Sequence, residues 1–561
     1  MRVTLVGLNG RYTHSCMALF YVRNEIIANV DDSKLEIFQF TINDPYYQLL
    51  LQLSASEADF YFFSAAIWNS DLIVKIVGDL LQMLSEIHVV VGGPQAEIVG
   101  SQLNTKRCSI VVGEIEGIGK DFYQDLQKNT LRPRYETKRV GSGYCFPYVE
   151  RDFREHLENR HIYYESSRGC PFACTYCLSS SQKGVYRKEL EEVKTELSQI
   201  LKHNPKVVRF VDRTFNDNGP RALAIWEFLA EQKVDTVFHF EISPSNFSEE
   251  MFVFLKTLPA GKFQFEIGIQ STNPETLKAI RRSINTAGAH DIIIRLSELN
   301  NIHLHVDLIL GLPYETRESF LRSFRDVFFM NPHYIQMGLL KILPDTPICH
   351  TAPEYKYSYS SYAPYSVFAN KWMDQKSMQE LYWFGECVER FLNNRYFVSL
   401  WQYLRTNSED IVMFFLNLLD QCMEMAFFQK APTQQLLCSI LLNSVRGRSD
   451  EEYIVELLRY DWLRCGHRFL PPELDVGEER QSRNSKKRLY EHLAAWQFSD
   501  KKVDERAHYL KKGFILEFSN EFMEKQAHID EEGRHFLCFL PEKEVGLHQY
   551  SKSIYMHMPL Q

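Results

Sequence analysis

The sequence predicts an α/β protein with three parts. An N-terminal Rossmann-like, doubly wound parallel sheet comes first, then a central (β/α)6-type partial barrel, then a mainly α-helical C-terminal domain with a short strand pair. Three observations predict it. Apolar strand-like runs alternate with helix-period segments over roughly the first 125 residues, the alternation restarts at His161, and it stops after Asp345. Strands alternating with helices form parallel sheets covered on both faces. The expected domains are therefore 1–128, 161–345 and 346–561, with a linker at 129–160.

The first series has strand-like runs at Val3–Val6, Leu35–Phe40, Phe60–Ser64, Ile87–Val91 and Ser109–Val112, with helical periods at Ser15–Ala28 and Asp71–Leu84. Gly7, Gly92-Gly93-Pro94 and Gly113 stand just past strand ends. Open parallel sheets bind ligands at that carboxyl edge. Pro133, Gly141, Gly143 and Pro147 mark residues 129–160 as aperiodic.

The second series has strand-like runs at Ile162–Ser166, Val207–Asp212, Val237–Ile242, Phe263–Ile269, His303–Leu310 and Ile335–Ile342. Helical periods such as Lys188–Lys202 and Glu315–Phe329 separate them. Barrels of this kind carry their active residues at the C-terminal strand ends. A tyrosine-rich loop follows, with Tyr355, Tyr357, Tyr359, Tyr362 and Tyr365. It is read either as a pocket cover or as an ordinary packed loop. The apolar stretch Asp410–Phe428 holds Asn417, Asp420, Gln421 and Glu424, so it reads as a buried amphipathic helix rather than a membrane span. Two strand-like runs, Gly513–Phe518 and His535–Leu540, lie in the tail.

Composition narrows the function classes. The 561 residues are 45% hydrophobic and 24% charged with net charge −9, which excludes a disordered or fibrous chain. Bulk charge does not draw the chain to phosphate backbones. The cluster Arg480, Arg483, Lys486, Lys487 and Arg488 reads as a solvated run, and no nucleic-acid partner is expected. The opening MRVTLVGLNGRYTHS is not read as a signal peptide. Twelve Cys without a disulfide-framework pattern suit a reducing cytoplasm. Cys16, Cys108 and Cys145 are expected to be buried thiols.

The chemistry resides in Glu165-Ser-Ser-Arg-Gly-Cys170-Pro-Phe-Ala-Cys174-Thr-Tyr-Cys177, a Cys-x3-Cys-x2-Cys run just after the first barrel strand. Structural zinc wants four ligands, usually as two close pairs, and no Cys or His follows closely after Cys177. A [4Fe-4S] cluster on Cys170, Cys174 and Cys177 instead leaves one iron open for a small molecule.

With Tyr176 before the last Cys, the run resembles the radical S-adenosylmethionine (SAM) superfamily. The resemblance implies a [4Fe-4S] cluster that binds SAM on its open iron and cleaves it reductively, with an external one-electron donor such as flavodoxin or ferredoxin. Later segments resemble that family in order. Val211-Asp212-Arg-Thr-Phe-Asn216 and Glu241-Ile-Ser243 end two strands, Glu266-Ile-Gly268-Ile-Gln270-Ser271 resembles the Gly-x-Gln strand, and Asp307-Leu-Ile-Leu-Gly311-Leu-Pro313 resembles the Gly-Leu-Pro strand. The SAM contacts so implied are Tyr176, Asp212, Glu241, Ser243, Gln270, Arg282 and Gly311, with Asp212 on the SAM ammonium and Gly311 beside adenine. Strand-end charges such as Asp212 equally serve as capping groups.

The domain order, with the Gly113-Glu114-Ile-Glu116-Gly117 turn, resembles the large cobalamin-dependent class within the superfamily, and a group of it with a helical C-terminal extension. That implies cobalamin at Asn9, Arg11, Tyr12, Ser64, Trp68, Gly92, Gly93, Gly113 and Glu114. The Asp-x-His-x-x-Gly signature of a lower axial histidine is absent from the sequence, so cobalt has no protein histidine or the cofactor has been lost. Trp68 would face the corrin or be a core aromatic. Asn9, Arg11, Tyr12 and His14 would meet corrin amides or be helix-entry polar groups, and Glu114 a pocket acceptor or a helix-start acid.

The activity implied is methylation of an unactivated carbon or phosphorus centre in a small-molecule or peptide substrate. The alternatives are a cobalamin-dependent radical cyclase or oxidase, a methylthiotransferase-like RNA-modifying enzyme with a second cluster on Cys16, Cys108 and Cys145, and a non-catalytic corrinoid or iron–sulfur sensor.

Overall fold

The computed structural model describes the chain except residues 104, 138–139, 142–143, 182–183, 283–284, 476–496, 499–512, 530–532, 545 and 560–561. The basic run from Arg480 to Arg488 lies outside the described residues.

The N-terminal sheet has strands β1 (Arg2–Asn9), β2 (Lys34–Thr41), β3 (Phe60–Ser64), β4 (His88–Gly92), β5 (Cys108–Val112) and β6 (Arg134–Glu136), in the order β2-β1-β3-β4-β5-β6. All pairings are parallel. Alternation decides which face each residue covers. Val3, Leu5, Phe60 and Phe62 face one apolar core, whereas Val6, Leu8, Tyr61 and Phe63 face the other. The first core also contains Leu19, Phe20, Tyr148, Phe153 and Ile162, so it runs without a break into the central domain.

Two expectations need correction here. The sheet has six strands, not five. Arg134–Glu136 falls in the segment read as linker and pairs with β5. The rest of that segment is not a loose tether either, because Tyr144, Tyr148, Asp152, Phe153 and Leu157 are buried. Its only helix among the described residues is the single turn Asp152–Glu155, too short to show a period in the sequence, yet its side chains seal the junction. There Arg23 pairs with Asp152, with side-chain exposures of 2% and 0%, and also donates to the Pro147 carbonyl at 3.1 Å.

The central domain has strand β7 (Ile162–Tyr164), a hairpin of β8 (Ser167–Gly169) and β9 (Val185–Arg187), then β10 (Val207–Phe210), β11 (Val237–Ile242), β12 (Phe263–Gln270), β13 (His303–Leu310) and β14 (Tyr334–Leu339). The large sheet runs β14-β13-β12-β11-β10-β7, with every neighbouring pair parallel. Consecutive order without a switch point is barrel topology, and no pairing of β7 with β14 occurs among the described residues, so the barrel is partial. Phe238, Phe240, Phe263, Phe265, Ile267, Leu304, Val306 and Leu308 face outward into the apolar core beneath the helices. The alternate residues His239, Glu241, Glu266, His305 and Asp307 face the lumen.

The C-terminal region is helical from Gln375 to Arg464. The stretch Asp410–Phe428 is a helix, Ile411–Glu424, which Asp410 caps by accepting the Met413 amide at 3.1 Å and which buries Ile411, Phe414, Phe415, Leu418, Leu419 and Cys422. Among the described residues no helix is long and apolar enough to cross a membrane. The expected strand pair is part of a four-stranded antiparallel sheet. It contains Gln497–Phe498, Phe514–Phe518, Gly533–Lys543 and Ser551–Pro559. The last strand escaped the sequence reading because its first three residues, Ser551, Lys552 and Ser553, are polar and it ends at Pro559.

The Arg23–Asp152 pair generates a prediction. Asp152→Ala strands a buried guanidinium, so the stability read from the urea transition should fall by about 3–5 kcal/mol. Urea melts followed by tryptophan fluorescence check this, and a loss below 1 kcal/mol would contradict it.

Candidate functional site

A cavity of about 190 Å³ opens at the C-terminal ends of the barrel strands. One wall is the loop after β8, with Cys170, Phe172, Cys174, Tyr176, Cys177, Ser179 and Ser180. The other wall comes from strand ends, with Arg213, Thr214, Glu241, Ile242, Ser243, Glu266, Gly268, Gln270, Arg282 and Asp307.

The cysteine loop has little regular structure of its own, so other elements hold it. The buried carboxylate of Asp212 accepts the Ser166 amide at 3.0 Å and the hydroxyls of Ser166 and Ser167, both at 2.6 Å. The Thr175 amide donates to the Ile280 carbonyl at 3.1 Å, and the Thr175 carbonyl accepts the Ile348 amide at 3.0 Å. Arg168, two residues before the first cysteine, pairs with Glu114 at 3.2 Å, Glu116 at 2.7 Å and Glu165 at 3.0 Å. Its guanidinium also lies 4.1 Å from the centre of the Tyr144 ring. Cys170 Sγ stands 3.6 Å from Thr214 Oγ1.

The strand-end wall supplies acceptors. Asn216 clamps the Ser243 backbone, donating to its carbonyl and accepting its amide, each at 2.8 Å. β12 carries an irregularity between Gly268 and Gln270, and Gln270 has φ +72°. Such a bulge re-aims a side chain. Gln270 is 8% exposed, and its Oε1 has no partner among the described residues. Among the described residues no hydrogen-bond donor reaches Glu241, and burial pushes its carboxyl up to about 7, with the Arg213 charge opposing and Glu266 and Asp307 adding to the rise. Arg282 donates to the Gly268 carbonyl and reaches Cys174 Sγ and the Tyr176 hydroxyl, each at 3.5 Å.

Tyr176, Glu241, Ser243, Gln270 and Arg282 thus meet in one cleft with the three cysteines. Two expected SAM contacts do not. Asp212 spends both oxygens on Ser166 and Ser167 and is absent from the lining. Gly311, at φ +95°, lies against a helix, where a Cβ would stand 3.1 Å from Met378 Cε and push that side chain aside. Its carbonyl accepts from Tyr357 at 3.0 Å and Asn370 at 2.9 Å.

The expected cobalamin contacts divide similarly. Asn9, Ser64 and Gly92 end β1, β3 and β4 at one edge of the first sheet. Gly93 has φ +95°, and a Cβ there would sit 2.5 Å from the Ala65 carbonyl oxygen. Trp68 is 58% exposed with its indole N–H on the Leu8 carbonyl at 3.2 Å, so it is not a core aromatic. Arg11 and Tyr12 are exposed beside β1, and Arg160 lies over the Tyr12 ring at 4.4 Å. Gly113 has φ +103° at the end of β5, where a Cβ would meet Thr137. Glu114 turns away from that edge to Arg168 and the Val140 amide. His14 bonds Tyr163 and so belongs to the interdomain contact.

Among the other cysteines, Cys145 is exposed, contrary to expectation, and Cys108 is buried. Cys108 enters β5 whereas Cys16 lies beyond the exit of β1, at opposite ends of a parallel sheet. They are not placed to share a second cluster. The tyrosine loop is packed at Tyr357 and Tyr365, whereas Tyr362 is exposed. Sequence reasoning gave no role to Arg168, Arg213, His239, Glu266, His305 or Asp307. The lumen residues were nonetheless signalled by polar groups at every second position of strands expected to be buried on both faces.

Residues 164–327 match the radical SAM superfamily, and residues 353–535 match a family described as "Protein of unknown function (DUF4080)". The chain carries a radical SAM domain. It is 28% identical over 184 residues to an uncharacterized methyltransferase of Pyrococcus horikoshii, covering 32% of this chain and 39% of that protein. It is 28% identical over 194 residues to the cobalamin-dependent radical SAM methyltransferase TokK of Streptomyces tokunonensis, covering 33% and 28%. A tRNA-2-methylthio-N(6)-dimethylallyladenosine synthase of Herpetosiphon aurantiacus is 27% identical over 164 residues, covering 28% and 37%. The chain thus spans less than two-fifths of these relatives' lengths. The fold resembles the cobalamin-dependent S-adenosylmethionine radical enzyme OxsB with aqua-cobalamin bound, at 14% identity and TM-score 0.58, over 88% of this chain and 84% of that one. It also resembles the methyltransferase TsrM of Kitasatospora setae, at 15% identity and TM-score 0.51, over 64% and 77%.

The residues fit an iron–sulfur cluster. Among the described residues no three Cys, His, Asp or Glu side chains converge on a single ion. A cubane needs something wider, with each thiolate on a different iron, and three cysteines lining one cleft satisfy that. For Asp212 the anchoring role predicts a specific loss. Asp212→Ala leaves buried donors unmet at about 1–3 kcal/mol each. Iron retained per chain should fall well below that of the unmodified protein, and the fraction that keeps iron should bind SAM with unchanged Kd. Full iron retention with weakened SAM binding would restore the direct-contact role.

Proposed function

We propose that the protein is a radical SAM enzyme, with a [4Fe-4S] cluster on Cys170, Cys174 and Cys177, that methylates an unactivated carbon or phosphorus centre with the help of cobalamin at the carboxyl edge of the first sheet. The observation that carries this is the three-cysteine loop facing unpartnered acceptors across one cleft at a barrel mouth. When bound, the cluster supplies an electron to the SAM sulfonium and the corrinoid carries a methyl group.

The chain's own residues bind and orient. The Glu241 carboxylate accepts from the SAM ammonium, and Gln270 Oε1 accepts from a hydroxyl or amide donor of the same molecule. Arg282 faces the SAM carboxylate while anchored on Gly268, and Tyr176 and Ser243 complete the wall. Asp212 and Gly311 act through the loop and helix they hold. At the other edge Asn9, Ser64 and Gly92 end their strands beside a flat ligand, Gly93 and Gly113 shape the turns there, and the exposed Trp68, Arg11 and Tyr12 flank it. Glu114 is committed to Arg168 instead. The electron comes from an outside one-electron donor of the flavodoxin or ferredoxin type, and the free thiols suit a reducing cytoplasm.

The methylthiotransferase reading needs a second three-cysteine site, which the opposite placement of Cys16 and Cys108 disfavours. A cyclase or oxidase shares every group named above, and no observation favours it. A sensor would bind the cofactors without consuming SAM.

Protein made anaerobically with iron and cobalamin should hold about four irons and about one cobalt per chain. It should release 5'-deoxyadenosine from SAM after dithionite reduction. Replacing all three cysteines with Ala should abolish that product, and its persistence would refute the cluster assignment. Absence of cobalt with an intact cluster would remove the cobalamin part alone.

Glu241 sets a pH dependence. Its carboxyl is pushed up to about 7, so it is ionised above that pH and neutral below it. SAM affinity should therefore fall as pH drops through about 7 and level off above. Glu241→Gln should weaken SAM binding roughly tenfold or more at pH 8 and flatten the profile. Calorimetric titrations between pH 6 and pH 8.5 check this, and an unchanged slope in the variant would contradict it.

A further inference from the structure

The barrel interior differs from the usual one. Closed barrels fill their lumen with branched apolar side chains. Here β11, β12 and β13 turn His239, Glu241, Glu266, His305 and Asp307 inward. Glu241 and Glu266 are register partners on neighbouring strands, so two carboxylates share one face side by side. Like charges so placed repel, and rules broken in this way mark functional sites.

The basic partners lie to one side. His239 Nε2 is 3.1 Å from Glu266 Oε2, and Arg209 Nη2 is 3.2 Å from His239 Nε2 and 3.8 Å from Glu266 Oε2. Burial pushes the Glu266 carboxyl up, but the hydrogen bond from His239 and the charges of His305, His239 and Arg209 outweigh it and hold it below its ordinary value. The groups facing Glu266 are thus Arg209 from β10, His239 and Glu241 from β11, and His305 and Asp307 from β13. Among the described residues its ion pairs fall on Oε2, and the residue lines the cleft. Beside it Gln270, buried and lining the same cleft, has its Oε1 without a partner among the described residues. The strand-end wall therefore holds open acceptors at Glu266 and Gln270, alongside the cations Arg213 and Arg282. In the proposed function SAM meets Glu241 and Gln270. Glu266, level with Glu241 on the neighbouring strand and two residues before Gly268, remains.

We infer that the methyl acceptor carries a protonated nitrogen, an amine or amidinium, which Glu266 binds in the barrel lumen. This rests on the radical SAM reading of the cleft. The lumen accepts N–H donors at a fixed anion, and a carboxylate or phosphate in that position would face Glu266 and Asp307 directly. Glu266 is thus a specificity-determining residue, and His239 and Arg209 position it.

The test uses the reconstituted holoenzyme with SAM and dithionite. The probes are three fractions of a small-molecule extract of the native host: retained on a cation exchanger at pH 7, retained on an anion exchanger, and retained by neither. The cation-retained fraction should raise SAM consumption roughly ten- to a hundredfold, the range set by a charge-assisted hydrogen bond. Glu266→Gln should lose that stimulation, and Glu266→Asp should keep part of it, with iron per chain equal to the unmodified protein in both. Stimulation confined to the other two fractions, no stimulation at all, or a Glu266→Gln variant stimulated as before would each overturn the inference. Failure of the underlying reading looks different, because no 5'-deoxyadenosine would form even without extract.

Discussion

The site depends on one guanidinium. Arg168 joins the turn after β5, through Glu114 and Glu116, to the exit of β7, through Glu165, and it stands on the hairpin that leads into the cysteines. Three carboxylates and the Tyr144 ring surround a side chain only 11% exposed. Buried charges are costly unless paired on every side, and removing one partner from such a set costs about 3–5 kcal/mol. Arg168 therefore holds the loop in one position relative to the first sheet. Lysine could not substitute, since its compact ammonium lacks the planar fork that serves several carboxylates at once.

The lumen follows a second constraint. Parallel strands beneath helices must present apolar side chains outward, and the phenylalanines of β11 and β12 do so. The inward positions are released from that duty by the partial closure of the barrel. They hold charges that a filled core would exclude, with Arg209 and the histidines moderating the acids. The adjacent carboxylates Glu241 and Glu266 are tolerable because each faces open cleft on one side.

Much of this was legible in the sequence. Strands β3, β11 and β13 coincide with the runs read from the sequence, β3 as a short apolar run and β11 and β13 as alternating ones. The cysteine loop was legible because its spacing is chemical rather than conformational. Asp212 and Glu114 show where reading stopped. Each sits at a strand end, where a ligand contact was expected, and each is consumed by a neighbour whose proximity depends on tertiary structure. No local pattern tells that Ser166 and Ser167 will turn back onto Asp212, or that Arg168 will reach across domains to Glu114. The strand Arg134–Glu136 was hidden for a related reason. Its three residues are too few to show a period, and pairing with β5 alone defines them.

The two ligand edges are tied on both flanks. Arg168 binds the turn after β5 on one side. On the other, the buried Tyr365 hydroxyl, from the loop past the barrel, donates to Gln95 Oε1 at 2.9 Å, two residues beyond Gly93. Between them the Thr13 carbonyl accepts the His161 amide, and Ser15 donates to the His161 carbonyl at 2.9 Å. Transfer of a group between molecules bound at separate domains gains most of its rate from holding both in fixed relation, and small misplacements are costly. A hinged pair of domains would lose that advantage, whereas two polar ties flanking a continuous apolar core preserve it. The interdomain contacts are thus part of the chemistry that the proposed function requires. On that reading, Glu114 and Glu116 at the edge of the first sheet serve the arginine of the neighbouring barrel that fixes the two domains.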